Sequence, residues 1–145
     1  REHFPQVRRL TAAWHRHGVK VIYHSDGNWK KVIPDLIDSG VDGFYCLEPA
    51  LGMDIVELRS TWRGHTWMGG EDGVDLMERG APEQVREEVR RQILGTGGLQ
   101  HGGVFIGTSS EVNPPIKPEN YRAMVEAVGE LNNQMFLRIN QWENS

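Results

Sequence analysis

The chain has 145 residues, of which 38% are hydrophobic and 25% are charged, as expected for one globular domain rather than a disordered chain. Because its net charge is −4, we do not expect the basic surface that nucleic-acid binding requires. No apolar run approaches the roughly 20 residues that cross a bilayer, so we expect no membrane segment. The single cysteine, Cys46, excludes an intrachain disulfide and suggests a cytoplasmic protein.

Helical and strand patterns alternate along the chain. Val7, Leu10 and Trp14 recur at helical spacing and predict a first helix over residues 1–18. Four short runs rich in β-branched and aromatic residues then predict strands at residues 19–24, 43–48, 66–70 and 103–107. Because the helical pattern is already present at the first residue, we expect the chain to be a fragment of a longer protein.

A helical pattern follows each predicted strand. Pro82 and Pro118 stand where the first turns of the third and fourth of these helices begin. Residues 19–131 thus form four strand–helix units within one domain, and residues 132–145 form an Asn/Gln-rich tail. Strands that alternate with helices at this spacing predict the α/β class, with a parallel sheet and right-handed crossovers.

Polar side chains are concentrated directly after the four predicted strands. They are His24, Asp26 and Asn28 after the first strand, Glu48 after the second, Glu71 and Asp72 after the third, and Ser109 and Ser110 after the fourth. In parallel α/β folds the ligand site lies at the carboxyl ends of the strands. We therefore predict that these side chains converge on one rim, where they bind a small molecule.

Each of these residues also has a purely structural interpretation. His24 and Asp26 suit a metal ion or proton transfer, because they offer an imidazole and a carboxylate two residues apart. Alternatively, Asp26 and Asn28 only shape a turn and cap the next helix. Glu48 either acts at the site or serves as a helix-cap or ion-pair acid.

The remaining candidates are weaker. Glu71 and Asp72 suit acid–base chemistry, but neighbours on an extended chain point in opposite directions, so at most one faces the site. The serine pair at 109–110 lacks the nucleophile elbow of serine hydrolases. Cys46 lies within a predicted strand, and we interpret it as a buried structural thiol.

The sequence also lacks a phosphate-binding loop, a dinucleotide fingerprint and a paired-cysteine zinc motif.

Six short motifs, taken in order, resemble the C-terminal part of the uroporphyrinogen decarboxylase superfamily, which also holds corrinoid-linked, zinc-dependent methyltransferases. The resemblance covers about residues 19–131. The motifs are His24–Asn28, Asp38–Gly43, Leu47–Pro49 with Gly52–Asp54, Trp67–Asp72, Gly80–Val85, and Lys117–Asn120 with Ala123 and Met124. The resemblance implies a partial (β/α)8 barrel, in which this chain supplies the last four units and a preceding helix.

The departures from the superfamily patterns bear on the chemistry. In the zinc methyltransferases, the segment like His24–Asn28 carries a His and a Cys as ligands, and a second Cys lies in the loop like residues 109–110. Here His24 matches, but Asp26 and Ser110 stand in place of the cysteines, which favours an oxygen–nitrogen site of His, Asp and Glu over a thiolate site. In the decarboxylases, Ser110 stands where a substrate-site His is found, and no His matches His24. Their substrate-binding arginines and essential acid belong to the N-terminal half of the barrel.

Because His24 matches only the methyltransferases, we expect methyl transfer, with His24 and Asp26 as metal ligands or acid–base groups and Glu71 as a further catalytic carboxylate. The expected substrate-binding residues are Asn28, Glu48, Ser109 and Ser110. Zinc and a corrinoid partner are the implied cofactors. The alternatives are a lyase that decarboxylates a tetrapyrrole and, in a different class, an inactive half barrel or binding module.

Four strands cannot close a barrel, so one largely apolar face of the sheet is left uncovered. An exposed apolar patch of that size is unusual for a monomer. We expect a second copy, giving a homodimer, or the missing N-terminal half barrel to cover it. The tail segment Met135–Ile139 is the other possible cover.

Overall fold

The computed structural model describes residues 2–109 and 111–143, with side chains described as far as residue 135. Four strands form one sheet in the order β1-β2-β3-β4, and each neighbouring pair is parallel. The strands are β1 (Ile22–His24), β2 (Gly43–Tyr45), β3 (Thr66–Glu71) and β4 (Val104–Thr108). The predicted α/β class and parallel sheet are therefore confirmed, with two of the four strands shorter than predicted.

Helices precede the sheet and follow each strand. They are α1 (His3–His15), α2 (Ile33–Asp38), α3 (Ile55–Thr61), α4 (Pro82–Thr96), α5 (Gly98–His101) and α6 (Pro118–Glu143). Short 3-10 turns at Lys30–Val32 and Pro49–Leu51 lie between the first two strands and their helices. No helix among the described residues is both long enough and apolar enough to cross a bilayer.

The strands are aligned so that their carboxyl ends lie side by side. Tyr23 of β1 pairs with Phe44 of β2, which in turn pairs with Trp67 of β3. Gly43 makes this close alignment possible, because a Cβ there would lie 2.7 Å from Cδ1 of Ile22 and 2.8 Å from the Thr66 carbonyl oxygen. The loops that follow neighbouring strands therefore open on the same rim.

The core lies between the sheet and the helices. Phe44 stacks on Trp67 with ring centroids 4.8 Å apart, and Trp29 packs against Phe44 at 5.4 Å. Leu36 of α2 and Leu58 of α3 complete this cluster and are fully buried. A second cluster joins α4 to α6, so both halves of the sheet are covered by helices on one side.

The opposite side of the sheet is uncovered. Alternation along the strands places Ile22, His24, Tyr45, Met68 and Phe105 there, because their neighbours in the strands pack toward the helices. We call these five residues the open face. Ile22 is 40% exposed and Phe105 is 58% exposed, so the expected uncovered apolar surface is present.

Two helices differ from expectation. The segment at residues 132–143, expected to be a separate tail, continues α6, since no glycine or proline interrupts it. In α1, Leu10 and Trp14 are exposed although their spacing predicts a buried stripe. Thr11 is buried instead, and its hydroxyl donates to the Ser39 carbonyl at 2.5 Å, which holds α1 against the end of α2.

We expect Leu36→Ala to lower the free energy of unfolding by about 2–5 kcal/mol, because it leaves a cavity in a fully buried part of the core. Leu10→Ala is the matched control, since Leu10 is 61% exposed and its loss should change stability by less than about 0.5 kcal/mol. Urea denaturation followed by circular dichroism measures both. Equal effects of the two substitutions would contradict the packing described.

Candidate functional site

The rim at the carboxyl ends of β1 and β2 holds the clearest group of reactive side chains. His24 is the last residue of β1 and pairs in register with Tyr45, the last residue of β2. The two rings lie 5.0 Å apart, so Tyr45 supports one side of the imidazole. The segments that leave these two strands therefore start next to each other.

Three potential metal ligands meet at this point. His24, Asp26 and Cys46 each offer one ligand atom, and these atoms lie within 4.8 Å of one another. The Cys46 thiol donates to Oδ1 of Asp26 at 3.1 Å. His24 and Asp26 are exposed while Cys46 is buried, so the cluster is open to solvent on one side only.

Cys46 is the residue that the sequence interpretation missed. It is fully buried, as expected, but its thiol faces Asp26. In a regular strand Cys46 would share the helix-facing side with Phe44, two residues earlier. Its backbone instead has φ +70°, the one positive φ at a non-glycine position among the described residues, and this turns the side chain to the rim. One feature of the sequence could have indicated that Cys46 lies at the rim. Cys46 directly precedes Leu47 and Glu48, at the end of the predicted strand that follows the strand of His24.

Glu48 and Asn28 connect the two rim segments. Oε1 of Glu48 accepts the Gly27 amide at 3.2 Å and lies 4.0 Å from Sγ of Cys46. The Asn28 side chain donates to the Leu51 carbonyl at 2.8 Å and accepts the Lys30 amide at 3.2 Å. These contacts favour the turn interpretation of Asn28, and substrate binding by either residue stays a prediction.

Glu71 lies at the end of β3 but faces a different environment. It is fully buried, and neither carboxylate oxygen has a hydrogen-bond partner among the described residues. Burial raises the pKa of Glu71 to about 8, with Glu88 adding to the rise and Arg91 opposing it. The Glu88 and Arg91 side chains both belong to α4. Glu71 therefore lies where the sheet packs against this helix. Its catalytic role stays a prediction.

The other predicted positions are only partly placed. Asp72 caps a turn, because its Oδ1 accepts the amides of Val74 at 3.0 Å and Asp75 at 2.6 Å. Ser109 is buried, and its amide donates to the Glu71 carbonyl at 2.7 Å. Ser110 lies outside the described residues. Binding roles for the two serines stay predictions.

A surface cleft lies away from the rim. It has a volume of about 510 Å³ and is lined by the C-terminal ends of α3 and α4, with Arg59 on α3, Arg63 just after α3, and His101 at the end of α5. Helices run opposite to the strands in this fold, so these ends lie at the amino ends of the strands. Catalytic groups of barrel enzymes lie at the other end, so the rim remains the candidate site.

Comparisons with known proteins give a family for most of the chain. Residues 3–131 match the family described as uroporphyrinogen decarboxylase (URO-D). The chain is similar to the methylated-thiol–coenzyme M methyltransferase of Methanosarcina mazei, with 32% identity over 117 residues that cover 75% of this chain and 27% of the relative. It thus spans little more than a quarter of that relative's length.

A solved structure supports the same fold. A methyltransferase from Methanosarcina mazei superposes with a TM-score of 0.69 at 16% identity, over 89% of this chain and 35% of that one. At this identity the likeness concerns the fold alone. The chain forms four parallel strands and corresponds to about a third of that larger methyltransferase chain. Together these two findings confirm the predicted partial barrel.

The raised pKa of Glu71 predicts a pH-dependent stability. The carboxyl ionises near its ordinary value of 4.5 when the chain is unfolded, but near 8 when it is folded. The contribution of Glu71 to the free energy of unfolding is therefore largest below pH 4.5 and falls by roughly 1.4 kcal/mol per pH unit until the pH passes 8.

Glu71→Gln should remove this fall, because the amide cannot ionise. Urea denaturation between about pH 5 and pH 9 tests this, with Glu87→Gln on the exposed side of α4 as the control. If the free energy of unfolding of Glu71→Gln falls with pH as steeply as that of the wild type, another group causes the fall.

Proposed function

The chain belongs to the uroporphyrinogen decarboxylase family, and from this membership we propose that the intact protein is a metal-assisted methyltransferase whose site includes His24 and Asp26. The observation that carries the proposal is the meeting of imidazole, carboxylate and thiol within 4.8 Å at the rim. The similarity to a methylated-thiol–coenzyme M methyltransferase adds the substrate class, a thiol that gains or loses a methyl group.

The donor set at the rim fits a divalent metal such as zinc. His24 would supply a ring nitrogen and Asp26 an oxygen, both typical zinc ligands. When bound, the metal acts as a Lewis acid that lowers the pKa of a thiol and makes it a better nucleophile. The methyl group comes from, or passes to, a corrinoid partner in this proposal.

The residues of the chain itself have separate tasks. The Tyr45 ring restricts the orientation of the His24 imidazole, and the Glu48 carboxylate fixes the loop that carries Asp26 by accepting the Gly27 amide. Fixed ligands favour one coordination geometry and reduce the reorganisation needed when substrate binds. Asn28, Ser109 and Ser110 are proposed to contact the substrate.

The rest of the barrel is proposed to cover the open face. The chain spans 35% of a structurally similar methyltransferase chain, so strands from the remaining part would pair with the free edges of β1 and β4. A second copy of this chain is the other possible cover. In either case the site becomes a cavity only when the sheet is closed, because the rim is solvent-exposed at His24.

Decarboxylation of a tetrapyrrole is the second candidate. It is favoured by one observation, the description of the family that residues 3–131 match. In that reaction a carboxylate at the rim, Asp26, would stabilise a protonated pyrrole. Release of carbon dioxide from a porphyrinogen distinguishes this candidate from methyl transfer.

We expect His24→Ala in the full-length protein to lower the rate of methyl transfer to a thiol by at least tenfold to a hundredfold, because it removes a ligand. His17→Ala is the control, since His17 is exposed beyond the end of α1. The assay follows transfer between a methylated thiol and a free thiol. Unchanged activity in His24→Ala, or carbon dioxide release from a porphyrinogen, would exclude this site as a methyltransferase centre.

The open face predicts self-association when the remaining part of the barrel is missing. The 145-residue chain alone should form dimers or larger species at micromolar concentration, as measured by light scattering. Phe105→Asp should weaken this association, because Phe105 is 58% exposed on the open face. Leu94→Asp, on the helix side and 56% exposed, is the control. A wild-type chain with the mass of a monomer would contradict the prediction.

A further inference from the structure

We propose that Cys46 is the sulfur ligand of the metal at the rim, so that β1 and β2 together build a His–Asp–Cys site. The inference deepens the proposed function and rests on it for the reaction that the metal would serve. The binding of the metal rests on the side chains alone. It also reverses the expectation from sequence. There, Asp26 and Ser110 stood in place of the two cysteine ligands of the zinc methyltransferases, so a site with only oxygen and nitrogen ligands was expected.

The distances suit a single ion. Zinc bonds of about 2.0–2.3 Å in a tetrahedral arrangement place neighbouring ligand atoms roughly 3.3–3.8 Å apart. Sγ of Cys46 and Oδ1 of Asp26 are 3.1 Å apart, and the three ligand atoms lie within 4.8 Å of one another. His24 and Asp26 are exposed, so rotation of their side chains would close the remaining gap to bonding positions.

The backbone holds the thiol where the ligands meet. His24 ends β1, and its register partner Tyr45 directly precedes Cys46. The left-handed backbone at Cys46 turns its thiol away from the helix side, where Phe44 points. The sulfur therefore comes from the strand next to His24, rather than from the two positions where the resembling methyltransferases carry cysteine.

Charge also favours a cation here. The Cys46 sulfur lies 3.1 Å from Oδ1 of Asp26 and 4.0 Å from Oε1 of Glu48. Without a cation, the Cys46 thiol donates a hydrogen bond to Oδ1 of Asp26. A divalent ion would replace this hydrogen bond. The S–H bond breaks, the proton passes to solvent, and the sulfur electron pair forms the metal–sulfur bond.

The ligand set selects the kind of ion. One thiolate, one imidazole and one carboxylate favour zinc or cobalt(II) over magnesium and calcium, which prefer oxygen ligands only. Three protein ligands leave the fourth tetrahedral position open, which is the arrangement of catalytic rather than structural zinc. A substrate thiol has the chemistry to occupy that position.

The experiment measures zinc and cobalt(II) binding to the reduced full-length protein. We expect one zinc per chain, with an X-ray absorption contribution from sulfur at about 2.3 Å. Cobalt(II) should give a thiolate-to-cobalt charge-transfer band. Cys46→Ser should lose both signals and bind zinc about tenfold to a hundredfold more weakly, whereas Asp35→Asn, an exposed change on α2, should alter neither. Comparison with the wild type removes the contribution of cysteines elsewhere in a longer chain.

A second measurement does not depend on a folded variant. Iodoacetamide reaches the buried Cys46 thiol only when the structure opens locally, so the labelling is followed over time in mild denaturant. Zinc should slow this labelling in the wild-type protein, whereas magnesium should not, with the labelled position read by peptide mass spectrometry. A sulfur signal that persists in Cys46→Ser, zinc binding without sulfur, or labelling that is indifferent to zinc would each overturn the proposal. Methyl transfer assayed on the same samples separates the two failures, because a sulfur-ligated zinc without methyl transfer would refute only the proposed function.

Discussion

The stack of Trp29, Phe44 and Trp67 is the packing interaction on which the candidate site depends. Phe44 lies 4.8 Å from Trp67 and 5.4 Å from Trp29, so one ring joins β2, β3 and the segment after β1. The Trp29 indole also donates to the Ser25 carbonyl at 2.9 Å, which links the core directly to the segment between His24 and Asp26. Because these aromatic groups are buried, the positions of the rim residues are set by the core beneath them.

This arrangement separates two kinds of carboxylate. Asp26 and Glu48 lie on segments that leave the first two strands and remain accessible to a ligand. Glu71 is buried against α4, where Gly70 approaches so closely that a Cβ would lie 2.7 Å from Gln92. A protonated, buried acid contributes to the contact between sheet and helix, while the exposed acids suit ligand binding. Position at the end of a strand is therefore not enough to assign a residue to the site.

Sequence patterns were sufficient for the fold, because each buried strand and amphipathic helix has a distinct periodicity. They also predicted that His24 and Asp26 lie near each other at the end of β1, where the structure brings them together with Cys46. They failed at Cys46, because no pattern of residue types reports a left-handed backbone at a non-glycine residue. They also could not give the surroundings of Glu71, because it follows two consecutive glycines with φ of +106° and +101°. The exposure of Leu10 depends on which side of α1 meets α2, which is a tertiary property.

The left-handed conformation of Cys46 has an energetic consequence. A residue with a side chain pays roughly 1–2 kcal/mol to adopt that conformation, whereas glycine adopts it freely. Replacing Cys46 by glycine would relax the backbone but would also remove a fully buried side chain. The fold thus carries a local cost for cysteine here, which buried packing or a bound ligand has to offset.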